Sequence, residues 1–172
     1  MWAGSGAGRV LISRNANADA ASVTFTRIDG TLQPGRAVSS IYVDPTNANH
    51  AIVTFSGYDA VTPATPGHVF DVVVDAATNA ATWTDISFDI GDQPVNDVVL
   101  DVASGDLYAA TDYGVLRLAA GSQTWLPAAG DMPTVTVSGL TLAKAKHGPN
   151  RFIYAATHGR GAYRLTLRPG PH

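Results

Sequence analysis

Leu107-Tyr108-Ala109-Ala110-Thr111-Asp112-Tyr113-Gly114-Val115-Leu116-Arg117-Leu118 is an apolar run, a glycine-containing turn and a second apolar run. The pattern returns as Ile153-Tyr154-Ala155-Ala156-Thr157-His158-Gly159-Arg160-Gly161-Ala162-Tyr163-Arg164-Leu165. Short runs of β-branched and aromatic residues around a Gly turn are the signature of a β-hairpin. A hairpin written twice at a spacing of about 40 residues points to a repeat architecture of the propeller kind.

Working outward, the remaining apolar runs sort into four rounds. The first holds Arg9 to Ser13 and Ser22 to Ile28. The second holds Ser40 to Asp44, Ala51 to Phe55, His68 to Val74 and Ala81 to Ile86. The third holds Val95 to Asp101, Asp106 to Thr111, Gly114 to Leu118 and Thr124 to Leu126. The fourth holds Val137 to Leu142, Arg151 to Thr157 and Ala162 to Leu167. Each is bounded by turn chemistry, as in Asp44-Pro45-Thr46-Asn47-Ala48-Asn49 and Gly148-Pro149-Asn150. The 3.6-residue helical period is absent over any useful length, and the Ala-rich stretches 16–22 and 76–82 are short and broken by Asn or Asp.

The composition agrees. All 14 acidic residues are Asp, and the basic residues are nine Arg with only Lys144 and Lys146 as lysines. With no Glu, 17 Gly and 10 Pro, the 172-residue chain lacks the residues that favour exposed helix faces. The net charge of −3 is small and dispersed, so no basic nucleic-acid surface is expected. No apolar run reaches the length of a membrane span. Met1-Trp2-Ala3-Gly4-Ser5-Gly6 lacks the apolar core of a signal peptide. The absence of Cys excludes disulfides and thiol chemistry without fixing a compartment.

The expected fold is therefore all-β: four-stranded antiparallel blades with strands A to D, about 14 strands in a partial β-propeller. Two blades are complete and two have three strands, the first lacking A and the last lacking D. Blade bounds are 1–35, 36–92, 93–133 and 134–168, in a single domain. Trp83 and Trp125, each preceded by Thr, repeat at the fourth strand, with Thr24-Phe25 as a weaker echo. Their expected role is packing between blades.

The pattern Ile41-Tyr42-Val43-Asp44-Pro45-Thr46-Asn47, strand, Gly-Val, Thr-Trp resembles the BNR/Asp-box class of β-propellers. That class includes sialidases, sortilin-type propellers, photosystem assembly factors and xyloglucan-cleaving glycoside hydrolases. Tyr154 to Tyr163 is similar to the last blade of its bacterial members. Of the Asp-box Ser-x-Asp-x-Gly-x-Thr-Trp, this chain keeps Thr82-Trp83 and Thr124-Trp125, with Gly121 one residue early. The resemblance implies a bacterial, extracytoplasmic protein. It also implies more blades than this chain supplies, hence either a longer propeller or a homodimer that completes the ring and protects its edges.

Ligand sites of propellers gather where the B–C turns and D–A connections emerge on one face, because loops vary there on a rigid scaffold. The B–C turns are 4–8, 56–67, 111–114 and 157–161, and the D–A connections 29–36, 88–94 and 128–133. The third and fourth turns carry Asp112, Tyr113, His158 and Arg160, suited to a carboxylate, phosphate or sugar hydroxyls, with Tyr113 able to stack on a sugar ring. The competing role is structural, with Arg160 paired to an Asp of a neighbouring blade and His158 capping its turn. The long turn from Ser56 offers Tyr58 and Asp59 as contacts, while His68 belongs to the start of a strand. Gly4-x-Gly6-x-Gly8 matches neither a dinucleotide fingerprint nor a P-loop. No metal site is expected: His50, His68, His147, His158 and His172 are scattered and no Asp-x-Asp-x-Asp loop exists. No cofactor motif appears.

The leading functional reading is a non-catalytic propeller module that binds a polar ligand, a glycan or a partner protein, on this face. The alternative is a glycoside hydrolase acting on plant-type polysaccharide. It needs two carboxylates flanking the bond, for which Asp112 and Asp59 are the candidates, with Asp92 and Asp97 also at loop or strand ends. A sialidase would need Glu, and a serine hydrolase a Gly-x-Ser-x-Gly elbow; neither is present.

Overall fold

The computed structural model describes residues 1–128 and 131–167. Ala129 and Gly130 of the last D–A connection, and Arg168 at the fourth blade's bound, lie outside the described residues. Among the described residues fourteen strands form four antiparallel sheets of three, four, four and three strands. Each sheet is a meander in which consecutive strands pair. The fold is all-β, made of partial-propeller blades, with two short 3-10 turns at Ala20–Ser22 and Asp59–Val61.

The chain divides into two compact units, Met1–Ser87 and Phe88–His172. The first contains sheet 1, with β1 (Trp2–Gly4), β2 (Val10–Ile12) and β3 (Thr26–Arg27). It also contains sheet 2, with β4 (Val38–Val43), β5 (His50–Phe55), β6 (Val69–Val74) and β7 (Ala81–Asp85). The second contains sheet 3, with β8 (Val95–Asp101), β9 (Asp106–Thr111), β10 (Gly114–Leu118) and β11 (Trp125–Pro127). Sheet 4 follows with β12 (Val137–Lys144), β13 (Arg151–Thr157) and β14 (Ala162–Leu167). The hairpin of residues 107–118 is β9–β10, and its echo is β13–β14.

In the first unit the core is the space between sheets 1 and 2. Val10, Ile12 and Ile28 face Val53, Phe55, Phe70, Val72 and Trp83. Phe55 meets Phe70 edge to face at 5.5 Å, and Phe70 meets Trp83 at 5.9 Å. The Trp83 indole N–H donates to the Ile28 carbonyl at 2.9 Å, satisfying the polar end of a buried ring. The Thr-Trp dipeptide is thus a packing device joining a fourth strand to the preceding sheet. Gly4 lets β1 approach β4: a Cβ there would lie 2.5 Å from Val38 Cγ1.

Trp83 and Trp125 are each preceded, four residues earlier, by a residue in the left-handed region, Asn79 at φ 58° and Gly121 at φ 74°. Gly and Asn are the residues that tolerate this backbone. The two turns leading into β7 and β11 therefore share a left-handed residue at the same distance from their tryptophans.

The first strand of sheets 2, 3 and 4 carries a β-bulge at the same ladder position. The register shifts between Val38 and Ser40, between Val95 and Asp97, and between Val137 and Gly139. A bulge re-aims the extra residue. Here those residues are Ser39, Asn96 and Ser138, all polar.

Candidate functional site

In the second unit the site is built on two turns. The threonine that ends each Tyr-Ala-Ala-Thr run closes its own turn: Thr111 Oγ1 donates to the Gly114 carbonyl at 3.1 Å, and Thr157 Oγ1 to the Gly161 carbonyl at 2.6 Å. Between these closures stand Asp112 and Tyr113 in one turn and His158, Gly159 and Arg160 in the other. Gly159 at φ 86° provides the left-handed step that the extra residue requires.

Thr136, just before β12, ties the two turns together. Its hydroxyl donates to the Asp112 carbonyl at 3.3 Å, and its own carbonyl accepts the His158 N–H at 2.9 Å. Asn96, the bulge residue of β8, adds a second link. Its amide donates to Asp112 Oδ1 at 3.1 Å and to the Val137 carbonyl at 3.0 Å. The Asp112 carboxylate is thereby held half-buried, while Tyr113 is 56% exposed. His158 and Arg160 are exposed, and among the described residues Arg160 meets no carboxylate. Two turns far apart in sequence share one anchor, leaving one fixed acceptor, a phenol, an imidazole and a guanidinium directed to solvent.

Asp97 has another task. Its Oδ2 accepts the Leu140 N–H at 2.7 Å and its Oδ1 the Val98 N–H at 2.8 Å. With Asn96 it satisfies the edge of β12 left open by β13.

In the first unit the long turn from Ser56 is pinned from below by Arg36, which is only 4% exposed. The guanidinium donates to the carbonyls of Gly57 at 3.3 Å, Pro66 at 2.9 Å and Gly67 at 2.5 Å, and to Asp59 Oδ1 at 2.9 Å. His68, 2% exposed, places Nε2 3.2 Å from the same Asp59 oxygen. Asp59 thus accepts from Arg36, with the buried His68 ring within ion-pair distance of the same oxygen, and Tyr58, 42% exposed, leads into the short 3-10 turn. The sequence reading named Asp59, Tyr58 and His68 but missed Arg36, which reads as one more loop cation until the fold buries it.

A second titratable cluster lies at the other end of sheet 2. His50 Nδ1 is 3.0 Å from Asp44 Oδ2, and its Nε2 is 3.3 Å from Asp71 Oδ1. The bonds from His50 and then Thr46 bring the Asp44 carboxyl down to about 2. Burial opposes charge on His50, yet the bond to Asp44 and the charge and bond of Asp71 outweigh it and raise its pKa.

No protein-family model matches the chain. No curated protein matches it. Among solved structures it is similar to the extracellular domain of a hybrid two-component system from B. thetaiotaomicron, at 16% identity and a TM-score of 0.54. The match covers 91% of this chain and 20% of that one, so the chain spans about a fifth of its neighbour's length. The likeness is one of fold.

Proposed function

We propose that the chain is a non-catalytic binding module whose ligand, a carbohydrate, sits on the paired turns of sheets 3 and 4. The observation that carries this reading is Thr136, which fixes the Asp112 turn and the His158 turn to one residue. A fixed carboxylate accepts hydroxyl protons, Tyr113 offers a stacking face, and His158 and Arg160 donate. That assembly suits a polyhydroxylated ligand.

The carboxylate inventory favours binding over hydrolysis. Hydrolysis needs two carboxyl groups aimed at one bond. Asp97 is occupied by backbone amides, Asp59 by Arg36 and His68, and Asp112 is oriented by Asn96. The BNR/Asp-box relationship is part of the proposal, supported by the Thr-Trp dipeptide that recurs at the fourth strand of sheets 2 and 3. An extracytoplasmic location is in keeping with the neighbour of similar fold, an extracellular domain.

A polysaccharide array combined with a reducing-sugar assay tests the proposal. Saturable binding that is lost in Arg160→Ala and Tyr113→Ala, without sugar release, is expected. Reducing sugar that appears with wild type and vanishes in Asp112→Asn would replace the reading with the glycoside hydrolase. Absence of binding across the array would remove the carbohydrate.

A further inference from the structure

The 14 Asp of the chain all lie in residues 1–131, together with five Arg. Residues 132–172 hold the other six of the eleven Lys and Arg and no acidic residue. The charges are therefore not dispersed, as the small net charge suggests, but divided: sheet 4 is built from the stretch that has no carboxylate. Strand alternation gives this sheet two faces. Leu140, Ile153, Ala155 and Leu167 are buried on one. The other carries the cross-strand row Thr141–Tyr154–Arg164, in which all three residues are exposed. The same row of sheet 3 is Val99–Tyr108–Arg117. There Tyr108 is 4% exposed, against 41% for Tyr154. Arg117 is held by Asp106 at 2.7 Å. In sheet 4 Phe152 stands at the position of Asp106, and the Arg164 guanidinium lies over its ring, 5.0 Å from the centroid. Among the described residues Arg164 meets no carboxylate. An aromatic ring attracts the charge of a guanidinium without taking up its N–H donors. The Tyr154 ring stands beside that of Phe152, with centroids 6.5 Å apart.

We infer that this exposed face of sheet 4 binds an acidic polysaccharide, one whose sugar rings carry carboxylates. The site is separate from the paired turns and does not rest on the ligand proposed for them. Arg164 takes a ring carboxylate through its guanidinium fork, whose planar geometry carboxylates match with two parallel bonds. Tyr154 offers its exposed ring to the C–H face of the neighbouring sugar. Thr141 and Thr166, exposed on the same face, pair with sugar hydroxyls. The lack of carboxylates in the residues that build the sheet leaves the local potential attractive to a polyanion, and exposed Lys144 and Lys146 add to it at the end of β12. The arrangement of cations selects the class of polymer. On this face of β12, β13 and β14 Arg164 is the one charged side chain. Lys144 and Arg151 alternate to the opposite face, where Arg151 meets Asp101 at 2.8 Å. Nucleic acid carries a phosphate at every nucleotide and is held by many cations. An anionic lipid surface likewise calls for clusters of Lys and Arg. One fork beside one aromatic ring and two hydroxyls matches a polymer whose charges sit on rings with hydroxyls between them.

The probe is a homogalacturonan oligosaccharide titrated by calorimetry, with its carboxyl-reduced, neutral counterpart as the control. Saturable binding of the acidic oligosaccharide is expected, with at least about tenfold weaker binding of the neutral one. Arg164→Gln and Tyr154→Ala should each weaken binding at least about tenfold. Tyr113→Ala and Arg160→Ala should leave it within about twofold. Loss in the second pair alone would place the ligand on the paired turns and remove it from sheet 4. A titration of the wild-type protein followed by nuclear magnetic resonance needs no variant: the Tyr154 ring and Arg164 Nε–H signals shift as the oligosaccharide is added. Equal binding of the two oligosaccharides, no binding up to about 1 mM, or shifts confined to other residues would overturn the proposal. So would tighter binding of a DNA duplex or of phosphatidylserine vesicles at the same salt concentration.

Discussion

Asp97 accepts the backbone N–H of Leu140 at 2.7 Å, so that a side chain of β8 completes the open edge of β12. With Asn96 donating to the Val137 carbonyl, the two residues form a polar seam between sheets 3 and 4. Removing one side of such a bond strands the other group away from water.

Asp97→Ala is expected to destabilise the protein by about 1–3 kcal/mol, the cost of leaving a partly buried amide unmet. Asp97→Asn keeps an acceptor oxygen and should cost less. Urea midpoints with an unchanged slope check the pair of values.

Arg36→Met removes the cation that gathers three carbonyls and Asp59 under the long turn. A loss of about 3–5 kcal/mol is expected, because the partners of a buried charge remain behind. The turn at 56–68 should become the first site of proteolytic cleavage. An unaltered thermal midpoint together with an uncleaved turn would refute the pinning role.

The His50 cluster makes stability depend on pH. His50 is held more readily charged in the folded chain, so its contribution is complete below about pH 6.5 and fades as pH rises through its raised folded value. Asp44, brought down to about 2, contributes above the ordinary carboxylate range and loses that contribution as pH falls toward 2. The cluster therefore stabilises most between about pH 4 and 6.5. His50→Gln should flatten the alkaline side of a plot of urea midpoint against pH; an identical slope in the variant would contradict this.

Thr136→Val keeps the shape and removes the hydroxyl that reaches Asp112. A loss of about 0.5–1.5 kcal/mol is expected, with weaker ligand binding as the two turns decouple. Thr136→Ser should restore both. Arg160→Ala and His158→Ala, on exposed side chains, should leave the urea midpoint within about 0.5 kcal/mol of wild type.

The strands were legible because their signal is local. β9 and β10 begin and end where the turn residues Gly105, Asp112, Tyr113 and Ala119 bracket apolar runs. The runs number two, four, four and three, and the sheets add one strand to the first round: β1 (Trp2–Gly4) is too short to stand out as an apolar run. The bulges at Ser39, Asn96 and Ser138 were not legible, since a bulge is a mismatch between two strands and neither sequence carries it alone. Thr136 was missed for the same reason: it stands outside both repeat copies, and its role exists only once the Asp112 and His158 turns meet it. The Asp112 and His158 turns themselves were found by comparing the copies and asking where they differ. Asp97, named as a strand-end carboxylate, turned out to serve backbone amides, which no spacing rule reveals.

One ladder position carries a different chemistry in each of three sheets. His50 lies beside Asp71 in sheet 2, Asp106 beside Arg117 in sheet 3, and Phe152 beneath the Arg164 guanidinium in sheet 4. In every case the second residue directly faces the position two beyond the first. A chain built of similar hairpins must choose among similar partners as it folds. Pairing β9 with β6 would set Asp106 beside Asp71, and pairing β5 with β10 would set His50 beside Arg117. Each diagonal contact favours its own hairpin by a modest amount, and recombining strands between sheets 2 and 3 is expected to cost less when both partners of a contact are exchanged together.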